Sequence, residues 1–274
     1  MGNSLLHHQQ QTKRTIIITG VHQGIGLSIV EKLLSESSSS YDIIMTTESP
    51  KVGETTLSDL LAKYPNSTST LKYRQLDLNN KQSVRSFASW IKATKGKFDI
   101  LINNNEISFS NSNDEQKKQT IQTNFFSVVK FTEKLLPYLR RDGKVLMISN
   151  SLGQLSFQGA TLRNILTDPT LDEKHLQKAA NNIVELTRDY VPSGPSNEAS
   201  YPASKALLNS YVKNFLPAKL KPNQQVYAVQ VEPEMRNEEG EEGADTPLYL
   251  INLPYKRYFE INAKLIGGRK VMVY

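Results

Sequence analysis

The chain has 274 residues, a hydrophobic fraction of 38%, and 33 basic against 27 acidic side chains, which suits one α/β domain with one well-filled core. No apolar run approaches the roughly 18–20 residues of a membrane helix, and the surplus charge of +6 is scattered rather than gathered on one face, which argues against nucleic acid as a partner. With no cysteine there are no disulfides, thiolate nucleophiles or cysteine-bound zinc, and four histidines, two of them at 7 and 8, make a metal site improbable.

The opening stretch "MGNSLLHHQQQTKR" carries no secretory apolar segment, and lacks Ser or Thr at the sixth position for myristoylation. Residues 1–14 therefore read as a flexible tail of a cytoplasmic protein, and 15–274 as the folded domain. "TIIIT" at 15–19 has the β-branched density of a buried parallel strand. The turn "TGVHQGIG" follows, then a helix with Leu27, Val30, Leu33 and Leu34 on one face. Further along come a strand at "YDIIMTT", a helix around 54–63, a strand at "LKYRQLDL", a helix over 81–94 and a strand at "FDILINN". A polar loop and one long helix over 114–134 lead to the strand "KVLMIS"; the helix "YPASKALLNSYVKNFL", the strand "QQVYAVQVEP" and a last strand near "RKVMVY" complete the chain.

Strand and helix alternate throughout, the pattern of a Rossmann-type doubly wound parallel sheet in a single domain. Two stretches break the rhythm. Residues 154–198 form an insert in which Leu176, Ala179, Ile183, Leu186 and Tyr190 keep the spacing of one packed helix. Residues 232–243, "EPEMRNEEGEEG", hold six glutamates and read as a mobile acidic loop.

Two motifs carry chemistry. In the turn, Gly20, Gly24 and Gly26 permit a tight bend, a close helix and the approach of backbone to a pyrophosphate at the helix N-terminus, and His22, Gln23 and Ile25 are counted with them as cofactor-binding positions. In "YPASK", Tyr201 and Lys205 lie one helical turn apart on one face. An ammonium near a phenol favours the phenolate, which suits a tyrosine to acid–base work. Pro202 is tolerated in the first turn, so the pair sits where the helix begins.

With "TGVHQGIG", "LDL" at 76–78, "LINN" at 101–104, "TNFFS" at 123–127 and "YPASK" in that order, the chain resembles the short-chain dehydrogenase/reductase family. The insert and "EEGADTPLYLINLP" at 241–254 are similar to its monomeric carbonyl-reductase branch. The resemblance implies an oxidoreductase moving hydride between NAD or NADP and a carbonyl or alcohol. Tyr201 would be the general acid/base, Lys205 would hold the ribose, and Asn124 would anchor a water in the proton relay. Asp77 and Asn103 would flank the adenine, Pro233 would contact the cofactor, and no metal is called for. The insert would cover the face that other members use to dimerise, leaving a monomer.

The sequence departs from that family in places. Counting from Gly153 puts Asn150 where the family's substrate-binding serine stands, with strand alternation sending Ser149 and Ser151 the other way. Asn105 and Glu106 replace small residues after "LINN", Glu234 follows Pro233 where a glycine is usual, and Glu238 stands for a threonine near the nicotinamide. Gln23 and Glu48 replace the basic residues of NADP-preferring relatives; a carboxylate 22 residues past Gly26 suits a ribose 2′-hydroxyl and favours NAD over NADP. These changes imply altered activity, or else an inactive member acting as a nucleotide-binding or scaffold protein.

Overall fold

A computed structural model describes residues 13–110, 112–188, 199–231, 241–254 and 261–272. The calls on the tail at 1–12, on Tyr190, Pro233, Glu234 and Glu238, and on most of the acidic stretch lie outside these residues. The first half alternates without interruption: β1 (Arg14–Thr19), α1 (Gly24–Ser35), β2 (Tyr41–Thr47), α2 (Pro50–Lys63), β3 (Thr70–Gln75), α3 (Lys81–Thr94) and β4 (Phe98–Asn103). Next come α4 (Asp114–Ile121), a wide π-turn (Gln122–Ser127), α5 (Val128–Leu135) and β5 (Leu139–Ser149). The insert holds α6 (Ala160–Thr167), α7 (Glu173–Asn181) and α8 (Ile183–Leu186). The chain continues through α9 (Ser200–Asn214), α10 (Leu216–Lys219), β6 (Gln225–Gln230), α11 (Glu241–Asn252), β7 (Leu265–Gly267) and β8 (Lys270–Met272).

The strands form one sheet in the order β3-β2-β1-β4-β5-β6-β7-β8, parallel up to β7. Side-chain alternation feeds two cores. Ile17, Leu101, Val145 and Met147 face α3, α5, α9 and the insert; Ile16, Ile18, Ile100, Ile102 and Leu146 face α1 and α11. Each fully buried side chain of this size stabilises by about 1.5–3 kcal/mol, which is why central strands without a polar face persist. Strand order reverses between β1 and β4. In open sheets of this kind the crevice for a ligand opens at the carboxyl ends of such a pair.

Five expectations need correction. Arg14 belongs to β1 rather than to a tail, because its guanidinium donates to the Ile251 carbonyl at 2.8 Å and to Asn252 Oδ1 at 3.0 Å. The long helix over 114–134 is interrupted by the π-turn at 122–127. The insert contains α6, which was not foreseen, and its expected single helix breaks at Asn182, although Leu176, Ala179 and Ile183 are buried as their spacing implied. The backbone at 241–243 already belongs to α11, not to a loop. Finally, the C-terminal strand is a hairpin: Gly268 and Arg269 both have left-handed φ (52° and 62°), the geometry that turns β7 back into antiparallel β8.

Candidate active site

The crevice at the β1/β4 switch is lined by Gly20, His22, Gln23, Gly24 and Ile25 from the first turn and by Asn104, Asn105 and Glu106 from the end of β4. Gly20 takes a left-handed φ of 70°, and a Cβ there would come within 3.0 Å of the Asn105 Cα. At Gly26 a Cβ would sit 2.5 Å from Asn104 Nδ2 and 2.7 Å from the Gly20 carbonyl, so only glycine lets α1 approach this closely. Asn104 ties the two walls together: Nδ2 donates to the Thr19 and Gly20 carbonyls at 3.1 and 3.0 Å. Its backbone N–H and that of Asn105 donate to Thr19 Oγ1 at 2.9 and 3.0 Å. The α1 N-terminus has no side-chain cap and no acidic residue in its first turn, leaving its N–H groups directed at the crevice.

Helix α9 delivers the second element. Tyr201 and Lys205 are both buried, and the Lys205 ammonium lies 5.5 Å from the centre of the Tyr201 ring. Lys205 Nζ donates to the Ile148 carbonyl at 3.0 Å and forms an ion pair with Glu106 Oε2. The Tyr201 hydroxyl donates to Glu106 Oε1 at 3.0 Å and accepts from Asn150 Nδ2 at 2.8 Å. One carboxylate thus bridges the phenol and the ammonium. Glu106 is missed by sequence reasoning as a partner of this pair; its charge and position were visible, its rotamer was not.

Asn150 follows β5 directly, with its amide facing α9, while its Oδ1 is buried with no partner among the described residues, as are Ser149 Oγ and Asn209 Oδ1. Asn124 sits in the π-turn, and its amide clasps the backbone of Ile107, accepting from the N–H and donating to the carbonyl, both at 2.8 Å. Its Nδ2 also reaches Ser204 Oγ at 3.2 Å. Asn124 thus pins the loop behind Glu106. That placement is not what the sequence suggested on its own, where a helical asparagine would serve as well.

Other residues fall away from the crevice. Asn103, expected beside an adenine, is buried and donates to Thr132 Oγ1 at 2.9 Å; its neighbours Asn104 and Asn105 form the wall instead. β4 ends at Asn103, whose side chain stays in the sheet packing, while Asn104 and Asn105 lie in the segment that leaves the strand. Asp77 is engaged in the turn before α3, where its Oδ1 accepts from the Asn79 N–H at 2.8 Å. Glu48 is exposed just past β2, beyond the residues that line the crevice. Among the described residues, no group of three His, Asp or Glu side chains could hold a metal, and no helix is long and apolar enough to cross a membrane.

The family profile described as short chain dehydrogenase aligns with residues 14–162. Carbonyl reductase (NADPH) 3 from Rattus norvegicus is 27% identical over 259 residues, covering 88% of this chain and 91% of the relative. Short-chain dehydrogenase/reductase 1 from Saponaria officinalis is 30% identical, covering 73% of this chain and 76% of the relative. Among solved structures, menthone neomenthol reductase from Mentha piperita superposes with a TM-score of 0.77 at 21% identity, over 94% of this chain and 100% of that one. The NADPH-bound carbonyl reductase from chicken fatty liver gives 0.70 at 18% identity, over 96% and 99%. Profile, relatives and sheet order agree that the chain belongs to the short-chain dehydrogenase family, as a divergent member similar to carbonyl reductases.

Proposed function

We propose that this protein is a nicotinamide-dependent oxidoreductase that reduces a small-molecule carbonyl, or oxidises the matching alcohol, with Tyr201 holding the transferred proton. The observation that carries this reading is the meeting of two elements at one end of the sheet. The glycine turn and the Tyr201–Lys205 pair meet at Glu106, which lines the crevice with the first and bonds to the second. The relatives' names, carbonyl reductase and menthone neomenthol reductase, support the substrate class.

The residues present fit a dinucleotide. The uncapped α1 N-terminus and the turn at 20–25 offer N–H groups to a pyrophosphate, and the Lys205 ammonium offers donors to ribose hydroxyls. A bound nicotinamide would supply the hydride. Tyr201 gives its proton to the developing alkoxide, and Asn150 has a second amide hydrogen with which to orient the same oxygen. Asn124 holds the 107 backbone behind the site. The carboxylate of Glu48 and the neutral Gln23 favour NADH, whereas the carbonyl reductases are named for NADPH, so both cofactors belong in the test. With α7 and α8 packed on α4 and α9, over the face on which family members pair, we take the chain to act as a monomer.

The test is cofactor oxidation by purified protein with NADPH or NADH and a panel of menthone, aldehydes and quinones, beside Tyr201→Phe. Loss of at least about 100-fold in kcat/KM is expected, within the range general acid–base groups contribute. Equal rates in the two proteins would remove Tyr201 from the reaction.

A further inference from the structure

We propose that Glu106 is a built-in competitor for the nicotinamide cofactor, a side-chain plug that must leave Tyr201 and Lys205 before the ribose can reach them. The inference rests on the dinucleotide reading above and adds a residue to it. Its basis is that Glu106 accepts the phenol's one O–H with one oxygen and pairs with the ammonium through the other, so the phenol donor is taken and, with the Ile148 carbonyl, two of the ammonium's three hydrogens are engaged where a ribose diol would bind. Glu106 also forms part of the crevice wall beside Gly20 and the α1 N-terminus. A carboxylate there repels an arriving pyrophosphate while occupying the partners of the sugar.

The loop is held on both sides of the plug. Asn104 and Asn105 are fixed by Thr19 Oγ1, and Ile107 is clasped by the Asn124 amide, so the backbone at 106 has little freedom to retreat. Release therefore comes by side-chain rotation. The Glu106 side chain is 22% exposed against 3% for Lys205, which gives the carboxylate a route to water that the lysine lacks. Cofactor binding then carries the cost of breaking one ion pair and one charge-assisted hydrogen bond. A resting enzyme with its acid–base pair internally satisfied is the consequence.

The experiment is direct titration of NADPH and NADH into the full chain, comparing wild type with Glu106→Ala and Glu106→Gln by calorimetry, with no substrate present. Position 106 has no left-handed φ, so alanine keeps the backbone. Glu106→Ala is expected to tighten the preferred cofactor about 10- to 30-fold, and Glu106→Gln, which keeps the bulk and loses the charge, by a smaller factor. Should alanine unfold the protein, the glutamine variant decides: tighter binding supports the plug and unchanged binding overturns it. Equal affinity in wild type and variants overturns the plug while leaving the dinucleotide reading intact. If neither cofactor binds any of the proteins, the dinucleotide reading itself falls, and the plug falls with it.

Discussion

Two buried lysines stand at opposite ends of the stretch of β5 that pairs with β6 and are stabilised in opposite ways. Lys144, in β5 opposite Ile100 and Gln225, is 2% exposed. Its ammonium donates to the carbonyls of Leu250, Ile251 and Leu253 at 2.7, 3.0 and 3.0 Å, closing the C-terminus of α11. Lys205 is 3% exposed at the other end and pairs with the carboxylate of Glu106 and the Ile148 carbonyl. Backbone carbonyls at a helix end cannot rotate away, whereas a glutamate can. The first arrangement is a fixed cap, and the second is a contact that a ligand can replace.

The sharpest way to break this comparison is to remove each lysine in turn. Lys144→Ala removes a donor from three carbonyls, of which that of Ile251 keeps the Arg14 guanidinium, and opens a cavity, so a loss of about 3 kcal/mol is expected. In a chain of this size that corresponds to a fall in Tm of roughly 6–12 °C. Lys205→Ala is expected to lower Tm by far less, because the freed Glu106 carboxylate can turn toward water, while cofactor affinity and turnover collapse. Thermal denaturation beside cofactor titration separates the two; equal loss of Tm in both variants would mean that the site lysine is structural as well.

The pH response sharpens the same contrast. Burial, aided by the Arg14 guanidinium and opposed by Asp142, pushes the Lys144 ammonium down to about 7 from its ordinary 10.5. Between those values the unfolded chain binds the proton that the folded chain has released, so stability rises with pH from about 7 to about 10.5 and the gain is lost as pH falls through the folded value. Urea midpoints at pH 7, 8 and 9 should climb in wild type and climb less in Lys144→Ala. Parallel slopes in the two proteins would assign the titration elsewhere.

The two ends were not equally legible in the sequence. The glycine turn and "YPASK" announce themselves because backbone geometry and helical spacing fix which side chains meet, and the sheet follows from strands too apolar to face water. Glu106 could be flagged only as a charge where small residues are usual. Its pairing with Tyr201 and Lys205 depends on how Thr19 and Asn124 hold the loop, contacts that span 85 or more residues and 17 residues of chain respectively. Lys144 gave no signal at all, since a lysine opening a strand looks like a solvated end until α11 returns 106 to 109 residues later to cover it. The hairpin of β7 and β8 escaped because each strand has only three residues, too few to show a period.

The remaining difference between the two ends is how completely their polar atoms are paired. Around Lys205, Ser149 Oγ, Asn150 Oδ1 and Asn209 Oδ1 are buried without partners among the described residues, the kind of deficit expected if this end is the proposed site rather than a purely structural one. Asn150 is the informative member because its amide also occupies the phenol oxygen at 2.8 Å. Asn150→Ser shortens the side chain, deletes the unpaired carbonyl and leaves the Tyr201 hydroxyl freer to meet a substrate oxygen. A rise of roughly tenfold in kcat/KM is expected, well inside the hundredfold that an ångström of misplacement can cost, with little change in cofactor affinity. An unchanged rate would show that Asn150 neither crowds the carbonyl nor restrains the phenol, and would leave the carboxylate at 106 as the principal restraint on the Tyr201 proton.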